Sequence, residues 1–248
     1  MAIYVTGDTH RDFTRFSDEN FPEAERLTKD DYVIICGDFG GMWDSSAEEQ
    51  ALLDELDARP FTTLFVDGNH ENYDLLNGLE VSSWHGGNVQ FVRPTIIHLM
   101  RGQFYTIEDL TFFTMGGASS HDISAGILEP SDPDFWVKYD ELTAKGAMFR
   151  VNHLSWWEQE MPDVDDYSTA WENLAAHGWE ADYILTHCAP TSIVEELGRG
   201  SQQDALTDFL QYVREDCRFT AWFLGHYHLD GLVDEKFVVL YEQIMKIT

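Results

Sequence analysis

Side chains that bind metal ions recur in five short segments of this chain. Asp8 and His10 lie two residues apart in the first segment, and His226 and His228 have the same spacing in the last. Because alternate residues of an extended segment point to one side, each pair can face a common ion. Carboxylate, imidazole and amide ligands suit divalent ions such as Mn²⁺, Fe²⁺ or Zn²⁺. The pattern therefore predicts a site for divalent metal ions.

The three segments between these pairs add further ligand types. They are Gly37-Asp38-Phe39-Gly40-Gly41, Gly68-Asn69-His70-Glu71 and Thr186-His187. Glycines beside the ligands let the backbone turn sharply and approach an ion closely. Each segment alone is a weak signal, since a lone Gly-Asp is usually part of a turn and a lone His is usually a hydrogen-bonded residue that binds no ligand. The ordered set is strong, because about ten positions must match and each matches by chance roughly one time in twenty.

Short apolar runs precede these segments and would position their side chains. The runs cover residues 3–5, 32–36, 62–66, 183–185 and 221–224. Continuous apolar runs, as opposed to alternating ones, are typical of a sheet that is covered on both faces. Helical patterns over about 46–58, which begins as a capping box, and over 202–215 separate several of the runs. Strands that alternate with helices predict an α/β architecture.

The remaining apolar runs have no convincing helices between them. They cover residues 95–99, 104–107, 111–115, 232–233 and 237–241, and they predict hairpins that extend the sheets. Residues 119–167 contain three prolines and several acidic clusters, and their apolar residues show little of the periodicity of a helix or a strand. They are interpreted as a long excursion over one side of the fold. We expect a two-sheet sandwich flanked by helices, in a single domain over residues 1–248.

Charge and cysteine content narrow the choice of partners and compartment. The chain has 45 acidic and 15 basic residues and a net charge of −30, which disfavours nucleic acid or an acidic membrane face as a partner. Solubility is a simpler reason for the excess acid than docking of a basic partner. The three cysteines do not suggest a disulfide framework, and neither an apolar leader nor a membrane-spanning run is visible. We therefore expect a cytoplasmic protein.

The ordered motifs resemble those of the calcineurin-like metallophosphoesterase superfamily. They are Asp-x-His, Gly-Asp-x-x-Gly, Gly-Asn-His-Glu, a later His and Gly-His-x-His, and they span residues 8–228. The resemblance implies a four-layer α/β/β/α sandwich of two mixed sheets and two metal ions bridged by Asp38. The ligands that it implies are Asp8, His10, Asp38 and His228 for one ion, and Asp38, Asn69, His187 and His226 for the other.

The resemblance also implies a reaction. Two ions about 3.5–4 Å apart can clamp the attacking and leaving oxygens of a phosphoryl displacement, and a water bridging them would lose a proton near neutral pH to become the attacking hydroxide. In the family, the His at the position of His70 protonates the leaving oxygen; a structural histidine at a turn is the other interpretation. The expected function is hydrolysis of a phosphomonoester or a small phosphodiester.

Two other functions stay open. A nuclease of the same superfamily is disfavoured by the net charge of −30 and by the lack of a basic groove-forming segment. A catalytically inactive scaffold of the same fold is disfavoured because all seven ligands and His70 are present.

Departures from the family pattern concern the binding of phosphate. Protein phosphatases of the family carry an Asp and an Arg shortly after the bridging Asp, where this chain has Gly41 and Met42. The Gly that usually follows Asp-x-His is Arg11. Protein phosphatase activity is therefore not expected. Arg11 is the nearest candidate for a phosphate contact and Arg150 and Arg199 are weaker ones, although a solvated surface role is at least as plausible for each.

The remaining histidines and two of the cysteines lack the context of metal ligands. The histidines are interpreted as surface or core residues: His85, His98, His121, His153 and His177. Cys36 and Cys188 each lie beside a motif residue within an apolar run, and they are interpreted as buried thiols.

Overall fold

Two β-sheets packed face to face form the centre of the molecule in the computed structural model, which describes residues 1–199 and 203–248. The first sheet contains β1 (Ile3–Thr6), β2 (Tyr32–Cys36), β3 (Thr62–Val66), β4 (Val81–Trp84), β5 (Gly87–Arg93), β6 (Ile96–Leu99) and β15 (Met245–Lys246). The second contains β7 (Gln103–Ile107), β8 (Leu110–Met115), β11 (Tyr183–Thr186), β12 (Ala221–Leu224), β13 (Gly231–Val233) and β14 (Phe237–Val239). A separate pair is formed by β9 (Ile127–Leu128) and β10 (Arg150–Val151).

Both sheets are mixed, with parallel strands at their centres. The first has the order β15-β1-β2-β3-β6-β5-β4, in which β1, β2, β3 and β6 are parallel. The second has the order β13-β14-β12-β11-β8-β7, in which β14, β12, β11 and β8 are parallel. Ligands in open α/β sheets bind outside the carboxyl ends of such strands. The predicted metal-binding segments all follow these ends.

Helices cover the outer faces of the two sheets. They are α1 (Ala47–Asp57), α2 (Tyr73–Leu76), α4 (Val164–Ala176), α5 (Thr191–Glu196) and α6 (Ala205–Asp216), whereas α3 (Phe135–Ala144) packs against the separate pair of β9 and β10. Leu53 and Leu56 of α1 pack with Phe65 of β3 on the outer face of the first sheet. Leu174 of α4 and Leu210 of α6 pack on the outer face of the second sheet. Within the described residues, no helix is long and apolar enough to span a membrane.

The core between the sheets completes a four-layer arrangement. Ile34 and Leu64 of the first sheet meet Phe112, Leu185 and Phe223 of the second, and all five side chains are buried. Strands β1, β2 and β3 are buried along their whole length, because one face meets this core and the other meets the outer helices. The predicted α/β/β/α sandwich of two mixed sheets is thus confirmed.

Several local expectations differ from the structure. The predicted helix over 202–215 begins at Ala205, where the Asp204 side chain caps it; residue 202 lies outside the described residues. Ser46 caps α1 as predicted by accepting a hydrogen bond from the Glu49 amide. The Glu49 carboxylate does not complete a capping box, because it accepts from the backbone amides of Trp43, Asp44 and Ser45 instead.

Regular structure also occurs where none was predicted. The hairpin of β4 and β5 lies at an edge of the first sheet, and β4 is only partly buried, so no continuous apolar run marks it. The 119–167 excursion contains β9, α3 and β10 and the start of α4. Trp136 and Val137 of α3 are exposed, so its apolar residues do not repeat on a single buried face.

Candidate metal centre

Loops at one edge of the two sheets carry every ligand predicted from the sequence. Those loops follow β1, β2 and β3 in the first sheet and β11 and β12 in the second. They bring together Asp8, His10, Asp38, Asn69, His187, His226 and His228.

A first group of donors forms around Asp8. The ligand atoms of Asp8, His10, Asp38 and His228 all lie within 4.8 Å of one another. The two imidazoles face each other, with 3.0 Å between His10 Nε2 and His228 Nε2. Asp8 Oδ2 lies 3.1 Å from His228 Nε2, yet it is buried without a properly oriented hydrogen bond. An unpaired buried carboxylate oxygen is costly, so a cation fits this group of donors.

A second group forms on the other side of Asp38. His187 Nε2 lies 3.2 Å from Asp38 Oδ1 and 3.3 Å from Asn69 Oδ1. The His226 ring is beside the His187 ring, with 4.9 Å between the centroids. Asp38 Oδ2, in turn, lies 3.7 Å from His10 Nε2 of the first group. Asp38 therefore presents one oxygen to each group.

Charge at the centre is balanced between Asp38 and His187. Burial opposes the charged imidazole, but the nearby carboxylates of Asp38 and Asp8 raise the pKa of His187 to about 10. Burial also opposes the charged carboxylate, but the imidazoles, His187 first, hold the pKa of Asp38 well below its usual range. His187 Nδ1 donates to the Cys36 carbonyl at 2.8 Å, so Nε2 is the nitrogen that faces Asp38. A metal ion would take the place of the Nε2 proton.

The backbone of the ligand loops is strained. His10, Asp38, His226 and His228 have φ values of 44°, 47°, 68° and 50°. Non-glycine residues in this left-handed region cost on the order of 1–3 kcal/mol each, and they persist where the surroundings enforce them, often at functional sites. Four of the seven predicted ligands share this feature.

Two glycines allow the loops to come close to one another. A Cβ on Gly68 would lie 2.1 Å from Asp38 Oδ1, and a Cβ on Gly225 would lie 2.2 Å from Asp8 Oδ1. No side chain is tolerated at such distances, so only glycine fits at either position.

Comparison with known proteins places this centre in a family. A family model described as calcineurin-like phosphoesterase matches residues 1–230. The chain belongs to the calcineurin-like phosphoesterase family. Members are generally metal-dependent hydrolases, and the match includes all seven predicted ligands and His70. No curated protein matches the chain.

Polar groups hold the ligand loops of this centre in place. The Glu71 carboxylate is buried and accepts from the amides of Phe39 at 2.7 Å and Gly40 at 3.1 Å, which fixes the loop after Asp38. Burial raises the pKa of Glu71 well above its usual value. Arg15 donates to the Asp8 carbonyl at 2.6 Å and thereby fixes the loop after β1. The sequence analysis assigned no such role to Glu71 or Arg15.

His70 lies beside the first group of donors. Its ring is 5.2 Å from the His10 ring, centroid to centroid, and its backbone amide donates to Asp38 Oδ1 at 2.7 Å. The residue is partly exposed to solvent.

Two of the three arginines considered as phosphate contacts face other groups. Arg11 Nη1 lies 3.4 Å from Asp44 Oδ2 and 3.8 Å from Glu49 Oε2, near the start of α1. Arg11 also lines, together with His10, an open cleft of about 590 Å³. Arg150 Nε donates to Asp122 at 2.9 Å, which makes a free phosphate contact by Arg150 less favourable.

One histidine that the sequence analysis interpreted as a surface or core residue lies at the centre. His121 Nε2 is 3.0 Å from His226 Nε2. It is neither beside a motif nor at a ligand-like spacing, and 105 positions separate it from His226, so no sequence signal marks it. The neighbouring Ser120 Oγ accepts from Asn69 Nδ2 at 3.4 Å. The start of the 119–167 excursion thus reaches the second group of donors.

Proposed function

We propose that this phosphoesterase hydrolyses a phosphomonoester or a small phosphodiester with two divalent metal ions. The observation that supports the proposal most is the position of Asp38, whose two oxygens face separate groups of donors. One ion would be held by Asp8, His10, Asp38 and His228, and the other by Asp38, Asn69, His187 and His226. When bound, such a pair of ions acidifies water and neutralises charge on the phosphoryl oxygens.

His70 is the proposed general acid. The hydrogen bond from its amide to Asp38 Oδ1 fixes the backbone beside the centre, and the partly exposed residue has its ring 5.2 Å from the His10 ring, centroid to centroid. A proton on this imidazole can pass to the leaving oxygen, which contributes roughly 10²–10⁴ to the rate.

Arg11 is the proposed phosphate contact. Its side chain is 29% exposed and lies beside the acids Asp44 and Glu49, so the guanidinium would have to turn from them to contact a bound phosphate. The neighbouring His10 already belongs to the first group of donors, which places the Arg11 backbone next to that group.

The donor set limits the identity of the metals. Nitrogen and oxygen donors without thiolate suit Mn²⁺, Fe²⁺ or Zn²⁺. Cys36, Cys188 and Cys217 are buried free thiols, and burial raises the pKa of each above its usual value. They therefore favour packing over metal binding, and they agree with the proposal of a reducing, cytoplasmic location.

A small ester suits the charge of the molecule better than nucleic acid does. A net charge of −30 repels a polyanion over its whole length, whereas a small ester needs only the local field at the centre.

An activity screen tests the proposed function. Purified protein loaded with Mn²⁺ is assayed against phosphomonoesters, phosphodiesters, nucleotides and single-stranded DNA, with chelated protein as the control. We expect metal-dependent turnover of at least one small ester and none of the DNA. Two bound ions without turnover of any ester would support the inactive scaffold, and cleavage of DNA in preference to small esters would support the nuclease.

A further inference from the structure

The segment that follows β8 is anchored against the second group of donors. Ser119 Oγ donates to Asp204 at 2.6 Å, and Ser120 accepts from Asn69 while donating to the buried Glu160 carboxylate at 2.6 Å. These bonds place the next residue, His121, beside His226. The contact between the two imidazoles is therefore held from several directions.

The two nitrogens of the His226 ring can serve different partners. Nε2 faces His121 at 3.0 Å, which leaves Nδ1 for an ion. His187 shows the same division, because Nδ1 donates to the Cys36 carbonyl and Nε2 faces Asp38. Metal-binding histidines generally donate their second ring N–H to such an outer partner, which fixes the tautomer and the ring orientation.

The direction of the hydrogen bond follows from this division. A neutral imidazole carries one proton, so His226 can offer a lone pair on Nδ1 only when the proton is on Nε2. The His226 Nε2–H must then donate, and His121 Nε2 must accept.

The His121 ring lies beside the His226 ring, with 5.0 Å between the centroids. The His121 residue is exposed, whereas His226 is partly covered. An imidazole at hydrogen-bond distance from one ring nitrogen of a ligand histidine can act as its outer partner.

We propose that His121 is a positioning residue of the second metal site, which accepts the Nε2–H of His226 and so turns Nδ1 toward the ion. The inference rests on the proposed function, because it requires a second ion held by His226. Loss of an outer partner of this kind typically lowers metal affinity about 10–100-fold.

Metal titration of the full chain tests the role of His121. The binding of Mn²⁺ is measured by calorimetry for wild type, His121→Ala and His121→Gln. We expect His121→Ala to bind the first ion normally and the second about 10–100-fold more weakly. Because a glutamine oxygen can accept the N–H, His121→Gln should recover most of that affinity. His177→Ala removes an exposed histidine at the end of α4 and should change neither affinity.

A spectroscopic measurement distinguishes an outer partner from a direct ligand. At saturating Co²⁺, His121→Ala should keep the visible absorption spectrum of wild type, since the ligands are unchanged. A spectrum that shows the loss of a nitrogen ligand, or a second ion bound by His121→Ala as tightly as by wild type, would overturn the proposal. A wild-type chain that binds one ion only would overturn both proposals, and two ions without ester hydrolysis would overturn the proposed function alone.

Discussion

Asp38 is the side chain whose replacement affects both groups of donors at once. Asp38→Asn keeps the size of the side chain but removes its charge and one of its two acceptor oxygens. We expect weaker binding of both ions and loss of nearly all hydrolysis. Loss of an outer partner lowers metal affinity roughly 10–100-fold, so loss of a direct ligand should lower each affinity by at least that much. Metal content by mass spectrometry and turnover of the best ester measure the effect. Two tightly bound ions with wild-type turnover would exclude the bridging role.

His70 and His226 are both motif histidines, but they are expected to have different roles. His70→Asn should retain both ions and lower kcat by about 10²–10⁴ for esters whose leaving group needs a proton. The loss should be smaller for 4-nitrophenyl phosphate, because its leaving group departs readily as an anion. His226→Ala, by contrast, should lose an ion. If His70→Asn slows both kinds of ester equally, or loses metal as well, His70 is not the proton donor.

The sequence predicts candidate ligands but not the residues that hold them, and metal binding by those ligands stays a prediction. Asp8, Asp38 and His187 have a chemistry that requires their residue type at a strand end, so a short motif marks each one. Glu71 and His121 contact Gly40 and His226, which lie far away in the chain. Such partners follow from the tertiary fold, and no local pattern specifies them.

At the scale of elements, the central strands could be predicted from the sequence, whereas the regular structure within the 119–167 excursion could not. Strands β2, β3 and β12 have the bounds that continuous apolar runs predict, because both of their faces are covered. Helix α3 was not predicted, since Trp136 and Val137 face solvent. The excursion is held by the buried Trp157, which packs in the core outside the first sheet, and by polar bonds such as that from Arg101 to the Gln159 carbonyl.

The excursion also contains a carboxyl group whose titration is expected to affect stability. Burial raises the pKa of Glu160 from 4.5 to about 7, although the side chain and amide of Ser120 donate to the carboxylate. The folded state therefore binds a proton more tightly than the unfolded chain does. The stability from this protonation is present in full below pH 4.5 and is lost as the pH rises through about 7.

Glu160→Gln isolates this effect because it removes the charge and keeps the shape. The quantity to follow is the free energy of unfolding of Glu160→Gln minus that of wild type. We expect this difference to increase from pH 5 to pH 8, by at most about 3 kcal/mol. Urea denaturation of the chelated proteins measures it, and the titrations of all other groups cancel in the difference. Parallel pH profiles for the two chains would contradict the raised pKa.

On the scale of the whole molecule, the two sheets share one inner core, and helices cover the outer face of each sheet. The shared core supports a single domain over residues 1–248, which stays a prediction. The same two sheets contribute the ligands, with the loops after β1, β2 and β3 on one side of the centre and those after β11 and β12 on the other. Bound ions would therefore join the two halves of the sandwich and stabilise it.

The net charge of −30 suggests a different way in which cations could stabilise the molecule. Like charges repel in the compact state, and any salt screens that repulsion. Coordination at the centre is short-range and is screened much less. The two contributions can be separated by measuring Tm with and without Mn²⁺ at low and at high ionic strength.

We expect potassium chloride to raise the Tm of the chelated protein through screening, and Mn²⁺ to raise it further at every salt concentration. A ligand at 100 times its Kd adds about 2.7 kcal/mol, which corresponds to roughly 5–10 °C in a chain of this size. Asp38→Asn should respond to potassium chloride as wild type does, because it retains nearly all the surface charge. It should lose most of the response to Mn²⁺, because it lacks the carboxylate that bridges the two groups of donors. If the Mn²⁺ response of wild type disappears at about 0.5 M salt, where the Debye length is only a few ångströms, the ion acts by screening and the sheets are not joined by a specific centre.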